Sequence, residues 1–231
     1  MKTTNKSTVE LIDSMGTDLT IVNAARVSFD KESNWEHNDG CNIRLSTQDE
    51  KLINYLAKHN HWSPFAHTSI QLRVNAPIFV ARQMVKHQVG GVWNEVSRRY
   101  VDDEPVFYFP DKWRKRAENV KQGSSEESIY CEEMFFKNYS INDKLRDVLP
   151  DVIQLYTDML EAGLAPEQAR MILPQNMMTS WYWTGSLMFF HRVYKQRTDA
   201  HAQLETQEVA QQIGQICNNL FPVAWRALNG T

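Results

Sequence analysis

The chain has 231 residues, 42% hydrophobic and 23% charged, with a formal net charge of -3, which is ordinary for a folded globular protein large enough for one sizeable domain. That near-neutral balance excludes a general nucleic-acid coat, which would be basic overall. The cysteines Cys41, Cys131 and Cys217 have no paired spacing, which excludes a disulfide framework or a zinc site and points to a reducing compartment. The first residues lack the apolar core of a signal peptide, and no run of roughly 18 apolar residues occurs. The expectation is a cytoplasmic enzyme (in the host's cytoplasm if the source is viral) with no membrane partner.

In chain order, a short strand is expected at 9–12. Asp18 is placed to cap a helix reaching about 28. Residues 30–45 are polar, with Asn38, Asp39 and Gly40 at their centre, and read as a loop or insertion. Ser46 and Asp49 resemble a capping box, opening a helix that buries Leu52, Ile53 and Leu56. The run from His59 to Pro64 breaks it. Thr68, Ile70, Leu72 and Val74 then alternate with Ser69, Gln71, Arg73 and Asn75, the pattern of a half-buried strand. Pro77 suits the first turn of a helix over 78–88, with Ile78, Ala81, Met84 and Val85 as its apolar stripe. Arg82 and Lys86 fall four apart on another face, beside Gln83 and His87. Gly90 and Gly91 end that helix. A strand is expected at 106–109, and 111–127 reads as exposed and polar. Pro150 suits a helix start and Gly163 a stop, with further helices at 166–172, 183–196 and 202–219. The fold class is α/β (α+β): a single domain, mostly antiparallel sheet packed with long helices, with a helix-rich C-terminal half.

The segment 82–100 is the densest in chemistry. Arg82, Lys86, Arg98 and Arg99 are fixed cations, His87 is a possible fifth, and only Glu95 opposes them. Arginine forks and a lysine point charge hold phosphate oxygens, Ser97 supplies a hydroxyl, and backbone N–H groups near the glycines can form an anion nest. The order of a Walker A loop is absent, and so is the Gly-x-Gly-x-x-Gly dinucleotide fingerprint. On composition alone, a solvated helix face followed by a polar edge strand is an equal reading. Trp93, Tyr100, Phe107 and Tyr108, interleaved with the cations, are also what a single-strand nucleic-acid binder stacks bases on, although the net charge opposes it.

The same segment resembles the signature of the flavin-dependent thymidylate synthases, Arg-His-Arg, seven residues, then Ser, within Asn-Glu-x-Ser-x-Arg-Tyr. Here Lys86, His87 and Gln88 are followed by eight residues and Ser97, and Asn94 to Tyr100 matches the second half. The departures are Lys86 for arginine, Gln88 for arginine, and one residue inserted near Gly90 and Gly91. Further blocks are similar in family order: Met15-Gly-x-Asp18-Leu19, Ala24-Ala-Arg-Val-Ser-Phe-Asp30, His59-x-His61-x-Ser63-Pro-Phe-x-His67, Ala76-Pro-Ile-Phe-Val-Ala-Arg-Gln83, Ala169-Arg170-x-Ile-Leu-Pro174 and Arg197-x-Asp199-x-His201-Ala-Gln203.

The resemblance implies reductive methylation of dUMP to dTMP. Methylenetetrahydrofolate is the carbon donor, and FAD reduced by NADPH supplies the hydride. It also implies a homotetramer with active sites between subunits, and no nucleic-acid partner or metal. It makes Arg197 the catalytic residue, polarising the pyrimidine. It makes Gln83, Lys86, Glu95, Ser97, Arg98, Arg99, Arg170 and Arg197 the dUMP contacts, with Glu95 an organising acceptor. The FAD contacts it implies are His61, Ser63, Lys86, His87, Gln88, Glu95, Ser186, Arg192 and His201. At 185–188 the family often has Asn-x-Arg, where this chain has Gly-Ser-Leu-Met. The other class of thymidylate synthase attacks the pyrimidine with a cysteine. No matched block here holds one, Cys217 lies on an apolar-periodic helix, and no covalent thiol intermediate is expected.

Overall fold

The computed structural model describes residues 1–37, 43–118, 123–129 and 140–230. Cys41, Cys131 and the turn at Asn38, Asp39 and Gly40 lie outside the described residues. The elements in order are β1 (Lys2–Thr4), β2 (Thr8–Met15), α1 (Asp18–Arg26), β3 (Glu36–His37), β4 (Ile43–Arg44), α2 (Thr47–Lys58), β5 (Ser69–Pro77), α3 (Ile78–Met84), β6 (Gly91–Glu95), β7 (Val106–Tyr108), β8 (Arg114–Arg116), β9 (Ser124–Ser128), α4 (Ile141–Glu161), α5 (Pro166–Ala169), β10 (Met178–Gly185), α6 (Leu187–Arg197), α7 (Leu204–Leu220) and α8 (Pro222–Asn229). No helix among the described residues is long and apolar enough to cross a membrane.

The main sheet runs β2-β5-β10-β6, antiparallel throughout. Its β5 strand buries Ile70, Leu72 and Val74 completely, as the alternation requires, and β10 adds Trp181 and Trp183 to the same face. These pack against Ile53 of α2, Phe190 and Val193 of α6, and Val209 and Ile213 of α7. Each such side chain contributes about 1.5–3 kcal/mol of transfer free energy, so this face dominates the core. A smaller cluster forms where Leu149, helped by Leu145 and Ile153, meets Phe107, Phe109 and Met177.

Several expectations change. The strand β10 occupies residues read as the start of a helix at 183, so that helix begins only at Leu187. The aromatic run there is equally apolar in either state, and only pairing with β5 and β6 decides it. Pro150 sits inside α4, which starts instead at the N-cap Ser140, whose hydroxyl accepts from the Asp143 N–H at 3.0 Å. The segment 111–127 is not merely polar loop. It contributes β8 and β9, and Arg114 makes a two-pronged bond to the buried Glu205 at 2.9 and 3.0 Å.

The N-cap of α1 is Thr17, not Asp18. Asp18 caps a different helix. Its two oxygens accept from the N–H groups of Val223 at 3.0 Å and Ala224 at 2.9 Å, at the start of α8. Ser46 does cap α2, its hydroxyl accepting from the Asp49 N–H at 3.1 Å. The Asp49 carboxylate returns to that hydroxyl at 2.8 Å and not to the Ser46 backbone N–H, so the box is half formed. Asp49 also takes Arg26 Nε at 3.0 Å and Nη2 at 2.6 Å. Burial alone would raise the Asp49 pKa, but the guanidinium and the hydroxyls of Ser46 and Ser33 hold it below its ordinary value. The Arg26 of the Ala-Ala-Arg-Val-Ser-Phe block thus ties α1 to α2.

The helix α3 ends at Met84, four residues before the expected 88. Its last turn closes early because the His87 N–H bonds to Met84 O at 3.1 Å. The Gln83 carbonyl, which that N–H would meet in a continuing helix, accepts from Arg197 Nη2 at 2.7 Å instead. Lys86 consequently lies on a turn and shares no helix face with Arg82. Gly90 takes φ +84° in that turn, as glycine readily does. Gly91 pairs with Gly185 across β6 and β10, and the Phe189 ring lies against both. A Cβ at either position would come within 2.3 Å of that ring. Gly185→Ala should therefore destabilise the fold by about 1–3 kcal/mol in urea unfolding, with partial recovery on adding Phe189→Leu. A variant as stable as the parent would show that the ring yields without cost.

Candidate active site

Most of the residues assigned to the nucleotide fall in two groups within the chain. The first borders a cleft of about 510 Å³ lined by Glu95, Arg98, Arg170 and Thr179 among others, within the size range of small-ligand sites. Glu95 stands at the end of β6, opposite Trp181. One of its oxygens accepts from Thr179 Oγ1 at 2.8 Å and the other from Trp93 Nε1 at 3.2 Å. Arg98, next along, pairs with Asp103 at 3.3 Å. Arg99 pairs with Glu167 at 3.4 Å and lies over the Tyr100 ring. Ser97 opens the intervening turn, its hydroxyl accepting from the Arg99 N–H at 3.3 Å. Arg170 begins a 3-10 turn after α5 and is exposed, three residues beyond Glu167. The short helix α5 thus brings one carboxylate to Arg99 while presenting Arg170 to the cleft.

The second group centres on Arg197, at the C-terminal end of α6, where a cation also suits the helix dipole. Its Nε donates to His87 Nε2 at 2.8 Å, and its Nη2 takes the Gln83 carbonyl. Accepting at Nε2 requires the neutral tautomer with its proton on Nδ1. Burial, and then the charges of Arg197 and Arg192, push the His87 pKa down from 6.5 to about 4. The pair therefore carries one positive charge at neutral pH, on the arginine. Burial also draws the Arg197 pKa below its ordinary value. The Gln83 amide is held in turn, donating to Gln203 Oε1 at 2.6 Å and accepting from Thr206 Oγ1 at 3.3 Å. Among the described residues no hydrogen bond or ion pair joins this group to the residues of the cleft.

Several of the residues assigned to flavin lie on or beside α6, whereas Glu95 lines the cleft. Ser186 is its N-cap, accepting from the Phe189 N–H at 3.2 Å. The 3-10 turn Ser63–Ala66 packs against α6. Arg192 Nη2 donates to Val89 O at 2.9 Å, fastening the 86–90 turn that carries Lys86, His87 and Gln88. His61 is exposed near the rings of Tyr55 and His59. His201 is exposed and leans on Asp199 at 3.0 Å. Exposed cations, amides and aromatic rings in this arrangement fit a ligand that joins a flat ring system to a diphosphate.

Sequence reasoning missed Thr179, Trp93 as a donor, Gln203, Thr206 and Glu167. Gln203 closes the Arg197 block and was visible there. Thr179 had no local signal, because its role depends on the register of β10 against β6. Cys217 is fully buried, and burial pushes its thiol pKa up, as a core residue requires. Of the four rings interleaved with the cations, Phe107 and Tyr108 are buried and Trp93 is half-buried and stacked on Trp181, while Tyr100 is exposed with Arg99 over its ring.

A family model described as "Thymidylate synthase complementing protein" matches residues 10–223. A flavin-dependent thymidylate synthase of Thermus thermophilus is 38% identical over 223 residues, covering 96% of this chain and 76% of the relative. That of Thermotoga neapolitana is 35% identical over 223 residues, covering 96% and 91%. Among solved structures, a "UMP/dUMP methylase PolB from Streptomyces cacaoi bound with 5-Br dUMP" superposes with a TM-score of 0.75 at 28% identity, covering all of this chain and 97% of that one.

The low His87 pKa has a consequence for stability. Unfolded, the ring takes up a proton near 6.5, and folded only near 4. Between those values the unfolded chain binds more protons, so stability falls as pH drops through that window. His191, also held low by burial, acts in the same direction, so a contrast with His87→Gln isolates the His87 share. The stability advantage of the parent over the variant, from urea midpoints, should shrink between pH 7 and 4.5. An unchanged gap would refute a neutral His87.

Proposed function

This chain belongs to the flavin-dependent thymidylate synthase family, and from that premise we propose that it methylates dUMP reductively to dTMP at sites shared between subunits of a homotetramer. FAD is the cofactor, with methylenetetrahydrofolate and NADPH as co-substrates. The observation that carries the reading is the convergence of Glu95 and Arg98, from the segment 94–100, with Arg170, from the turn after α5, on one cleft.

Each group has a task suited to its chemistry. Arg98, Arg99 and Arg170 present guanidinium forks, the geometry that grips a nucleotide phosphate, with Ser97 and the more distant Lys86 as further donors. Glu95, held by two donors, accepts from an N–H or O–H of the nucleotide. Arg197 keeps its charge beside a neutral His87, and a fixed cation at a pyrimidine carbonyl stabilises negative charge developing on the ring. Gln83 is held beside it. His61, Ser63, Lys86, His87, Gln88, Glu95, Ser186, Arg192 and His201 would hold FAD, several of them from on or beside α6. Bound there, the reduced flavin supplies the hydride. No cysteine nucleophile is needed, and Cys217 is sealed in the core.

The division of the nucleotide residues into two groups within one chain supports a site completed by a second subunit. Arg99→Ala and Arg197→Ala should each abolish turnover alone, and activity should return when the two are co-expressed, because some sites then hold both arginines. Continued inactivity of the mixed, folded oligomer would sink the shared-site reading.

Purified protein should be yellow, carry FAD and oxidise NADPH faster when dUMP is present. A folded, colourless protein that takes up no added FAD would overturn the assignment. Arg197→Lys keeps charge and loses the fork, so kcat should fall by about 100-fold with little change in KM for dUMP. Equal losses would make Arg197 a simple anchor. The solved relatives named UMP/dUMP methylases make the ribonucleotide the specific alternative, and the same oxidation assay run with UMP decides between them.

A further inference from the structure

Glu95 is exposed, at the end of an edge strand, where a carboxylate ordinarily samples several rotamers. Here both oxygens are engaged from within the fold. Thr179 reaches one from the neighbouring strand, and Trp93 reaches the other from two residues back on the same face of β6. The Trp93 indole cannot swing away cheaply. It stacks on the buried Trp181 at 4.3 Å and 21°, and meets the buried Trp183 edge-on at 5.4 Å. Its N–H is therefore aimed by a packed aromatic cluster. Thr179 is fixed by the sheet itself, pairing with Ala76 of β5, while the adjoining Ser180 carbonyl accepts from the Val96 N–H at 2.9 Å.

We infer that Trp93 and Thr179 are positioning residues for the nucleotide, acting through Glu95. Each carboxylate oxygen has two lone pairs. One donor on each leaves one lone pair on each for a ligand, on a group whose rotamer is set before binding. The entropy of ordering Glu95 is then met in folding and not at the moment of binding. The inference rests on the reading of Glu95 as a nucleotide contact, and it adds two residues that the signature does not include.

The test is a double-mutant cycle in the flavin-loaded protein, with dUMP affinity measured by equilibrium dialysis. Thr179→Val and Trp93→Phe, each saturated with FAD, should weaken dUMP binding roughly tenfold, with the thermal midpoint close to the parent. Thr179→Ser, which keeps the hydroxyl, should bind dUMP as the parent does. In a Glu95→Ala background, adding Thr179→Val or Trp93→Phe should cost nothing further. An additional tenfold loss in that background would overturn the positioning role while leaving Glu95 as a contact. No loss from Glu95→Ala itself, in protein that still binds dUMP, would overturn the nucleotide reading of Glu95 and the proposal with it. Should Thr179→Val fail to fold, Trp93→Phe carries the same cycle.

Discussion

The strand β10 is the constraint on which the site depends. Among the described residues it is the only partner of β6 in the main sheet, so the position of Glu95 follows from its register. It leads within one residue into α6, so the far end of that helix, where Arg197 sits, is set by the same strand. The carbonyls of Gln175 and Met177, just upstream, accept from the first N–H groups of α3 at 3.2 and 2.9 Å. Strand pairing, one helix direction and one helix start thus all refer to the same few residues. Trp181 and Trp183 supply the apolar area that keeps the strand in place.

The cationic excess of 82–100 resolves into different electrostatic situations. Arg98 and Arg99 each have a carboxylate partner, but on exposed acids whose pairing is weak and exchangeable. Arg197 has no carboxylate partner among the described residues. It faces a neutral imidazole and a backbone carbonyl, which fix its orientation without neutralising it. An arginine oriented by uncharged acceptors keeps its whole charge for a ligand, and one paired with Asp or Glu must first give up that partner. The contrast separates a group suited to act on a reacting ring from groups suited to capture an anion.

Much of this was legible in the sequence, and the boundary is physical. The alternation over 68–75 specified β5 because one of its faces is buried throughout. Ser46 and Asp49 marked a helix start because caps are local. Asp18 was misassigned because a carboxylate beside one helix start can serve another start more than two hundred residues away. The aromatic run at 181–183 is compatible with either period and was decided by neighbours distant in sequence. Likewise α3 stopped at Met84 because of Arg197, more than a hundred residues on. Of the candidate site, the motif blocks supplied the expected residues. Their separation into two groups was not legible there, since motif order carries no distances.

The contact of Phe189 with Gly91 and Gly185 links two segments that look unrelated in the sequence, the start of β6 and the end of β10. Both glycines lie under one ring, which admits a side chain on neither strand. A larger residue at 185 would meet Phe189 whatever is done at 91. A smaller residue at 189 would leave a void over two glycines at once. The three positions therefore form one epistatic unit, in which a change at any one of them is accommodated only by a matching change at another.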